Sequence, residues 1–534
     1  MFPRHLPGPP PRPAPAEPEP PPGPSTVTDV LDWRGRRYTV GPSARLLTGA
    51  PRSVLLARAL LAVAAVGVLQ FGYGAAVPLL TAAHGWSPAQ ALTPFLVWAL
   101  VQGCFAPVPR LLRTRGLLHP GTAICAGAAL CAVAVYTVGH TTDPLTAVAG
   151  YGLLGGVGAG LVYHSCVDLV GGWFPDRHTV RLGAVGGAFA LGSVPLLPAL
   201  ALGPPSGDPG TAATVLAVAV LVLGVAGGAG QRGAPACWWP PGSDPRAAAL
   251  RRGADPPAAR DFTAGQAWAS GRSLHALHAI VALSGTVGLF ILVVLPPVLS
   301  GLGRDPTQVA VAVTAFAVGS GVGRLAASGA AERAGRRRTL TVLLAATTLG
   351  QAALAASAPD GPLPLLVTAV LVVGAGTGAC YPLTRAITEG HFGTGQRGGT
   401  GQHRNAGRRR GQRGGMGEHG GTDAHRGAPR IGGTTRFRVP GEDDPARSAD
   451  LAGLVHGSKA VGGLLGVGGA TVLLSLVPDT AHTPVLAASG LLTAVAALLA
   501  ARLRRPLPIR TLPPGAGTSP SPGVWTARRR SVPM

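Results

Sequence analysis

The chain has 534 residues, of which 47% are hydrophobic and only 13% charged, and its 80 glycines and 52 prolines make up about a quarter of it. Soluble globular domains carry about 25% charged residues, so the composition excludes an ordinary aqueous enzyme and favours a protein that crosses a membrane many times. The formal net charge of +23 would also suit a nucleic-acid-binding protein, but the basic residues lie in short segments between apolar runs, and no nucleic-acid partner is expected.

Apolar segments of about 20 residues recur along the chain, each bounded by glycine, proline or charge. A proline-rich segment precedes them, and residues 1–50 are predicted to form a disordered cytoplasmic tail without a cleaved targeting signal. Twelve segments are long enough to span a bilayer. They cover residues 56–82, 89–111, 117–138, 145–170, 181–202, 211–230, 274–300, 307–329, 338–357, 362–388, 451–477 and 483–503.

These spans group into two halves of six. The first half is predicted to cover 51–230 and the second 273–503, with a central cytoplasmic loop at 231–272 and a cytoplasmic tail at 504–534. Within the second half, residues 394–449 are rich in glycine and arginine and hold almost no aliphatic residues. Such a composition buries too little apolar area to offset the entropy of ordering, so we predict a disordered cytoplasmic insert there.

The distribution of basic residues predicts the orientation. Basic residues at the edge of a span are counted with the adjoining loop. If the N-terminus is cytoplasmic, 40 of the 45 basic residues then lie in the tails and cytoplasmic loops, Arg304 alone lies in the opposite loops, and four lie inside spans. Because positive charge concentrates in cytoplasmic loops, both termini are predicted to be cytoplasmic, in a multi-pass protein of the cell membrane. We expect the bilayer as its surroundings and a monomer as its oligomeric state.

A weak internal repeat relates the two halves. Shifting the chain by 218 residues lays the segment that begins at Leu153 over the segment that begins at Leu371. Six residues then coincide in type: Gly156, Gly158, Gly160, Tyr163, Gly172 and Phe174 fall on Gly374, Gly376, Gly378, Tyr381, Gly390 and Phe392. The fourth and tenth spans become counterparts, which predicts an all-α membrane protein of twelve helices in two six-helix halves related by a parallel repeat.

No spacing in the chain predicts a metal or a cofactor. The six cysteines are scattered and form no Cys-x-x-Cys pair. The Gly-x-Gly-x-Gly runs lie inside spans, without the preceding strand of a dinucleotide-binding loop. We therefore expect no cofactor, no metal ion and no enzymatic activity.

A charged turn follows the eighth span, where the chain reads SGAAERAGRRR from Ser328. An acid and arginines around a glycine turn can form an ion pair that breaks as two halves rock against each other. The pattern resembles the cytoplasmic loop motif of the major facilitator superfamily, while the matching loop of the first half has arginines but no acid. We interpret one set of residues as a conformational latch: Glu332, Arg333, Gly335 and Arg336.

The only lysine of the chain, Lys459, lies near the middle of the eleventh span, whereas the other 44 basic residues are arginines. A charge at that depth costs at least about 2.5–3.5 kcal/mol, so it is expected to face a polar cavity or a partner. We interpret Lys459 as an anion-binding group. A structural ion pair, or a lysine that extends to the membrane surface, is the alternative.

Arg324 in the eighth span is the second candidate, because a guanidinium can bind a carboxylate with two parallel hydrogen bonds. It lies nearer the cytoplasmic end, where extension to the surface competes with substrate binding. Polar side chains that can complete an anion's coordination are Gln70, Gln102, Tyr73, Tyr163 and Tyr381, although hydrogen bonds between helices explain each equally well.

Several stretches together resemble the oxalate/formate antiporter family within that superfamily: LQFGYGAAVPLLTAAHGWSPAQA, GYGLLGGVGAGLVYHSCVDLVGGWFPDR, CWWPPGSDPR and HGSKAVGG. The resemblance implies a major facilitator fold and the exchange of small carboxylates, with the anion bound by Arg324 and Lys459. By the same resemblance, Gln70, Tyr163 and Tyr381 line the cavity. The chain departs from the family at His456, where an aromatic residue is usual three positions before the lysine.

The sequence thus predicts a secondary transporter for small organic anions that works by alternating access. A proton-coupled efflux carrier for drugs or metabolites is the first alternative, since His164, His275, His278 or His456 could titrate. A non-transporting membrane receptor or scaffold, whose basic insert contacts RNA or anionic lipid, is the second.

Overall fold

The structure, a computed structural model, describes residues 27–31, 37–203, 208–251, 255, 258, 261–269, 272–393, 450–477, 482–506 and 528–530. Within these residues, eleven helices are long and apolar enough to cross a membrane. Together with the shorter helix His178–Leu191 they are named in chain order: α1 Arg52–His84, α2 Pro88–Thr114, α3 Pro120–His140, α4 Pro144–Trp173, α5 His178–Leu191, α6 Pro209–Gly228, α7 Arg272–Gly301, α8 Pro306–Ala334, α9 Arg336–Ser357, α10 Leu363–Phe392, α11 Leu451–Leu476 and α12 His482–Ala501.

The fifth predicted span is broken. The helix α5 ends at Leu191, and a separate short helix Leu197–Leu202 continues the segment after five residues of turn. The break coincides with Pro195, because proline lacks the N–H that the helix ladder needs and disfavours helical geometry at the residue before it. The continuous helix predicted at 181–202 is therefore wrong, and this is why eleven helices, not twelve, are long and apolar enough to cross a membrane in the described part of the chain.

Helix starts at one end of the bundle share an Asp-Pro signal. Asp143, Asp208 and Asp305 precede the prolines that begin α4, α6 and α8, and each carboxylate accepts backbone N–H groups of the first turn. Hydrogen bonds from Thr146 lower the pKa of Asp143, and hydrogen bonds from Thr211 do the same for Asp208. Asp143 and Asp208 are thus helix caps whose lowered pKa keeps them charged at neutral pH, and Asp305 is the corresponding cap of α8.

Contacts among the helices obey the predicted parallel repeat. The helices α1 to α6 pack on one another, as do α7 to α12, and the halves meet along α2 against α11 and α5 against α8. Helices that differ by six in number are counterparts in the two halves, so α2 corresponds to α8 and α5 to α11. The contact of α2 with α11 therefore corresponds to the contact of α8 with α5, as a parallel repeat requires. Adding six to both numbers relates the contact of α3 with α6 to that of α9 with α12. The two-half arrangement is confirmed.

Two glycines let the halves approach closely. A Cβ added to Gly103 in α2 would lie 2.6 Å from the backbone nitrogen of Ala460 in α11. A Cβ added to Gly183 in α5 would lie 2.5 Å from the Cβ of Ser328 in α8. No side chain fits at either position, so the two symmetric contacts depend on glycine at these positions.

A small sheet joins three segments outside the membrane helices. Strands β1 Val27–Leu31, β2 Arg37–Val40, β3 Trp238–Trp239 and β4 Arg528–Arg530 pair in the order β3-β2-β1-β4. Only the β2 to β3 pairing is parallel.

The sheet corrects part of the predicted disorder before residue 50. The described part of that tail forms β1, β2 and the short helix Ala44–Thr48. Strand β2 of the tail pairs with the two tryptophans of β3 in the central loop, and the ring of Tyr38 packs edge-on against Trp239. The central loop also holds short helices at Pro245–Arg251 and Ala264–Ala269. The insert predicted at 394–449 and residues 1–26 lie outside the described residues.

Candidate functional site

Lys459 is buried at the centre of the bundle, where α11 is interrupted. The first helical segment of α11 ends at Gly457 and the second begins at Lys459. The intervening Ser458 lies with its Oγ 2.6 Å from Nδ1 of His278 in α7. Lys459 is 4% exposed, so the side chain does not extend to the membrane surface.

Neutral groups hold the Lys459 ammonium. Its Nζ donates to Oε1 of Gln70 in α1 at 2.6 Å and to Oε1 of Gln102 in α2 at 2.9 Å. The rings of Trp98, Phe189 and Tyr381 lie 5.3–6.0 Å away, within reach of a cation–π contact. No carboxylate among the described residues forms an ion pair with it, so dipoles alone stabilise the charge.

Arg324 is the second buried cation and is 3% exposed. Its Nε donates to the carbonyl of Gly378 in α10 at 3.1 Å, and its Nη1 donates to the carbonyl of Gly186 in α5 at 2.6 Å. The bond to Gly186 crosses the interface between the halves, and the two bonds together fix the guanidinium. Its Cζ lies 5.7 Å from the ring centre of Tyr381, so Arg324 and Lys459 both face that ring.

Aromatic rings line the space around the two cations. The repeat pair Tyr163 and Tyr381 stands on either side of His456, with ring centres 5.7 and 5.2 Å from it. Tyr163 also packs edge-on against Phe189 in α5. The imidazole of His456 therefore contacts the rings of both repeat tyrosines.

His164 is a buried polar side chain that the sequence did not place at the site. It is 2% exposed and packs edge-on against His456 at 4.9 Å between ring centres. Neither of its ring nitrogens has a hydrogen-bond partner among the described residues. An unsatisfied buried donor and acceptor cost free energy, so these nitrogens are suited to a ligand that can bind them.

The structure brings together all five residues of the predicted substrate site: Lys459, Arg324, Gln70, Tyr163 and Tyr381. Tyr73 does not belong to it, because its hydroxyl donates to the carbonyl of Ala91 and its ring packs against Phe95. Gln102 lies beside these residues, because its Oε1 accepts a hydrogen bond from Lys459. The sequence analysis did not identify Trp98, whose ring contacts Lys459. Its position four residues before Gln102, on the same face of α2, could have indicated it.

Buried ion pairs close one end of the bundle between the halves. Asp168 in α4 accepts from Arg385 in α10 at 3.0 Å and from Arg113 in α2 at 3.4 Å. Arg385 also donates to Glu389 one turn further along α10 at 3.1 Å. Arg385 therefore links Glu389 of its own helix to Asp168 of the opposite half.

Two more contacts cross the interface at the same end. Arg110 of α2 pairs with Asp450, the residue that caps α11, at 3.3 Å. Nδ1 of His178 in α5 lies 3.4 Å from Oε2 of Glu389. Arg110 thus pairs with an acid of the other half, while Arg113 pairs with Asp168 of its own half, and neither acid lies in the loop of these arginines.

Only part of the predicted latch makes contacts with neighbouring helices in this conformation. Gly335 makes the turn between α8 and α9 with a φ of 88°, which favours glycine. Arg336 donates to the carbonyl of Ala386 at 2.7 Å and, across the interface, to Oγ1 of Thr179 at 3.1 Å. Glu332 and Arg333 are exposed and form no ion pair with a described residue.

Comparisons with known proteins agree with this architecture. Residues 274–401 match the family model described as Major Facilitator Superfamily. The solved structure of the human organic anion transporter MFSD10 (TETRAN) is similar, with a TM-score of 0.51 and 14% identity over 84% of this chain and 98% of that chain. A mutant of the nucleoside transporter NupG has a TM-score of 0.53 and 11% identity over 84% of this chain and 99% of that chain.

No curated protein matches the chain by sequence. The match in the second half and the two structural similarities confirm the predicted fold class, since the chain has the all-α fold of the major facilitator superfamily. The eleven long apolar helices fit a protein that crosses the membrane many times. The narrower resemblance to oxalate/formate antiporters stays a prediction.

Proposed function

We propose that this chain, which has the fold of membrane transporters, carries small carboxylates of the oxalate/formate type across the cytoplasmic membrane. Both termini are cytoplasmic in this proposal, as the distribution of arginine requires. The observation that carries the proposal is the Lys459 ammonium, which is buried and held by Gln70 and Gln102 without a carboxylate. A buried cation without a counter-ion is a site for an anion.

The geometry suits a small anion with two negative ends. Lys459 provides a compact ammonium, and Arg324 provides a fixed fork whose Nη2 is not used by its bonds to Gly186 and Gly378. Both cations face the ring of Tyr381. One small dicarboxylate can therefore neutralise both, with hydroxyl groups of the repeat tyrosines beside it.

The same two charges favour exchange over one-way transport. Without substrate, two cations stay buried at the interface between the halves, and each costs free energy that an anion would offset. The empty carrier therefore reorients less readily than the loaded one, so one anion returns for each anion carried.

Counterflow in proteoliposomes tests this proposal. Vesicles preloaded with unlabelled oxalate or formate should take up labelled oxalate, and Lys459→Gln should lower the rate at least about tenfold by removing the charge that binds it. Arg338→Gln, which removes an exposed arginine from α9, is the matched control and should leave the rate unchanged. Equal exchange by Lys459→Gln and the unchanged protein would overturn the proposal.

A proton-coupled carrier is the second candidate, and the histidine pair favours it. His164 and His456 contact each other next to the substrate residues. Groups facing them from packed helices are Lys459, Arg324, Arg385, Tyr163, Tyr381 and Asp168, so an arriving anion would favour uptake of a proton by the pair.

Transport measured between pH 5 and 8 separates the two candidates. Proton coupling predicts that uptake of labelled carboxylate follows an imposed pH gradient and that His164→Asn removes this dependence. Exchange predicts that counterflow persists without a gradient and that a gradient alone drives no net uptake. The structure favours exchange, because the cations and not the histidines hold the fixed charge.

A further inference from the structure

A second basic cavity lies away from the central site, at the end of the bundle where α1 and α5 begin. Its volume is about 590 Å³. The start of α1, the residues around Phe174, the short helix Ala44–Thr48 and the strand β3 form its walls. None of the central residues lines it, so it is a separate feature.

Three arginines line this cavity: Arg45, Arg52 and Arg181. Arg52 donates to Oδ1 of Asp176 at 2.8 Å and to the carbonyl of Trp173 at 3.2 Å, which fixes its position. Arg181 stacks near Phe174 at 5.2 Å, and its buried Nε has no hydrogen-bond partner among the described residues. One nearby carboxylate against three guanidinium groups leaves an excess of positive charge that an anion would neutralise.

The other wall of the cavity is apolar and follows α1 into the membrane. Leu56 and Ala57 line it, and Leu60 follows one helical turn further along α1. From Arg52 to Leu60 the helix rises about 12 Å, roughly the distance from a phosphate to the upper part of an acyl chain. Ala57 is exposed on the outside of the bundle, so this wall is open to the bilayer. A soluble anion would use the arginines but not this apolar surface.

We propose that this cavity binds an anionic phospholipid, with its phosphate held by Arg45, Arg52 and Arg181 and its acyl chain against α1. Basic pockets beside membrane helices are suited to anionic headgroups at the side of the membrane where positive charge concentrates. The first turn of α1 adds to the attraction, because its N-cap residue Pro51 offers no side-chain acceptor to the N–H groups of that turn.

The bound lipid connects the bundle to the segments that form the sheet. Trp238 of β3 lines the cavity, donates from Nε1 to the carbonyl of Pro42 at 3.0 Å and packs edge-on against Trp173. The headgroup therefore lies between the described tail, the central loop and the first half of the bundle. Its binding stabilises that junction, since a ligand that binds only the folded arrangement stabilises it.

Native mass spectrometry of the full chain tests the proposal. Protein extracted in mild detergent and supplied with equal phosphatidylglycerol and phosphatidylcholine should retain phosphatidylglycerol selectively. The double variant Arg45→Gln with Arg181→Gln should retain at least about tenfold less, because two charged contacts are lost. Arg52 is left intact because of its ion pair with Asp176. Arg338→Gln, an exposed arginine of α9, should retain as much as the unchanged protein.

A second variant and a soluble anion complete the test. Ala57→Phe keeps all three arginines and fills the apolar wall, so it should lower phosphatidylglycerol retention and leave any binding of glycerol phosphate unchanged. Equal retention by the unchanged protein, the double variant and Ala57→Phe would overturn the proposal. So would tighter binding of glycerol phosphate than of phosphatidylglycerol, because the cavity would then be a soluble-anion site.

Discussion

The charge on Lys459 is stabilised by two amide oxygens and three aromatic rings and by no counter-ion among the described residues. Such an arrangement keeps the ammonium available to a mobile anion, whereas a fixed carboxylate would compete with the substrate for it. At the residue level, the site is therefore a pair of cations held in place by dipoles.

Arg324→Lys tests whether the fixed fork of the guanidinium matters. A lysine keeps the charge but cannot donate to Gly186 and Gly378 while also facing the substrate. We expect the KM for oxalate to rise at least about tenfold while the protein still folds. The measurement is concentration-dependent counterflow, with Arg338→Lys as control. An unchanged KM would assign Arg324 a structural role only.

Sequence alone located Lys459, because one lysine among 44 arginines at mid-span is conspicuous. It could not find the partner of that lysine, since Gln70 and Gln102 lie 389 and 357 residues away along the chain. The unpartnered His164 is equally invisible in sequence, because burial and the lack of a partner are properties of the folded bundle.

At the scale of elements, the interface between the halves is held by α2 against α11, α5 against α8 and a set of ion pairs at one end. Apolar periodicity predicted the helices well, because each span must satisfy its backbone internally. The break in α5 was missed, since Pro195 lies within an otherwise apolar run. Tails and loops were predicted poorly because sheet pairing between distant segments leaves little local signal.

Asp168→Asn tests the ion pairs that close the bundle. The substitution leaves Arg113 and Arg385 without their shared carboxylate, and losing one partner of a buried pair costs about 3–5 kcal/mol. The end closed by Asp168 should therefore open more often. Maleimide labelling of the buried Cys166 and Cys380, resolved by mass spectrometry, should accelerate at least about tenfold.

Controls for that experiment are present in the same chain. Cys131 is buried in α3 away from the ion pairs and should stay unlabelled, which distinguishes opening from unfolding. Arg338→Gln removes an exposed charge of α9 that belongs neither to the ion pairs nor to the latch and should change no labelling rate. If Asp168→Asn labels no faster than the unchanged protein, these pairs do not keep the end closed.

At the scale of the whole molecule, two six-helix halves enclose the cations, and the tail sheet lies outside the bundle. The central residues come from both halves: Gln70, Gln102 and Tyr163 from the first, and Arg324, Tyr381 and Lys459 from the second. Rocking of the halves must therefore change the site and its access together, which is the requirement for alternating access.

Replacing residues 394–449 by a glycine and serine linker tests whether the insert takes part in transport. The insert lies outside the described residues, and none of the site residues belongs to it. We expect counterflow of oxalate to be retained at a rate within about twofold of the unchanged chain, because a polar segment of this composition adds no packed core. Loss of transport with normal folding would favour the receptor or scaffold alternative.

Thermal unfolding with and without substrate tests most directly whether Lys459 binds the anion. At an oxalate concentration about 100 times Kd, binding stabilises the folded protein by about 2.7 kcal/mol, so the Tm of the unchanged protein should rise by several degrees. Lys459→Gln should show no rise at that concentration, while Arg338→Gln should show the full rise. An equal rise in Lys459→Gln, or no rise of the unchanged protein with any small dicarboxylate, would contradict the account.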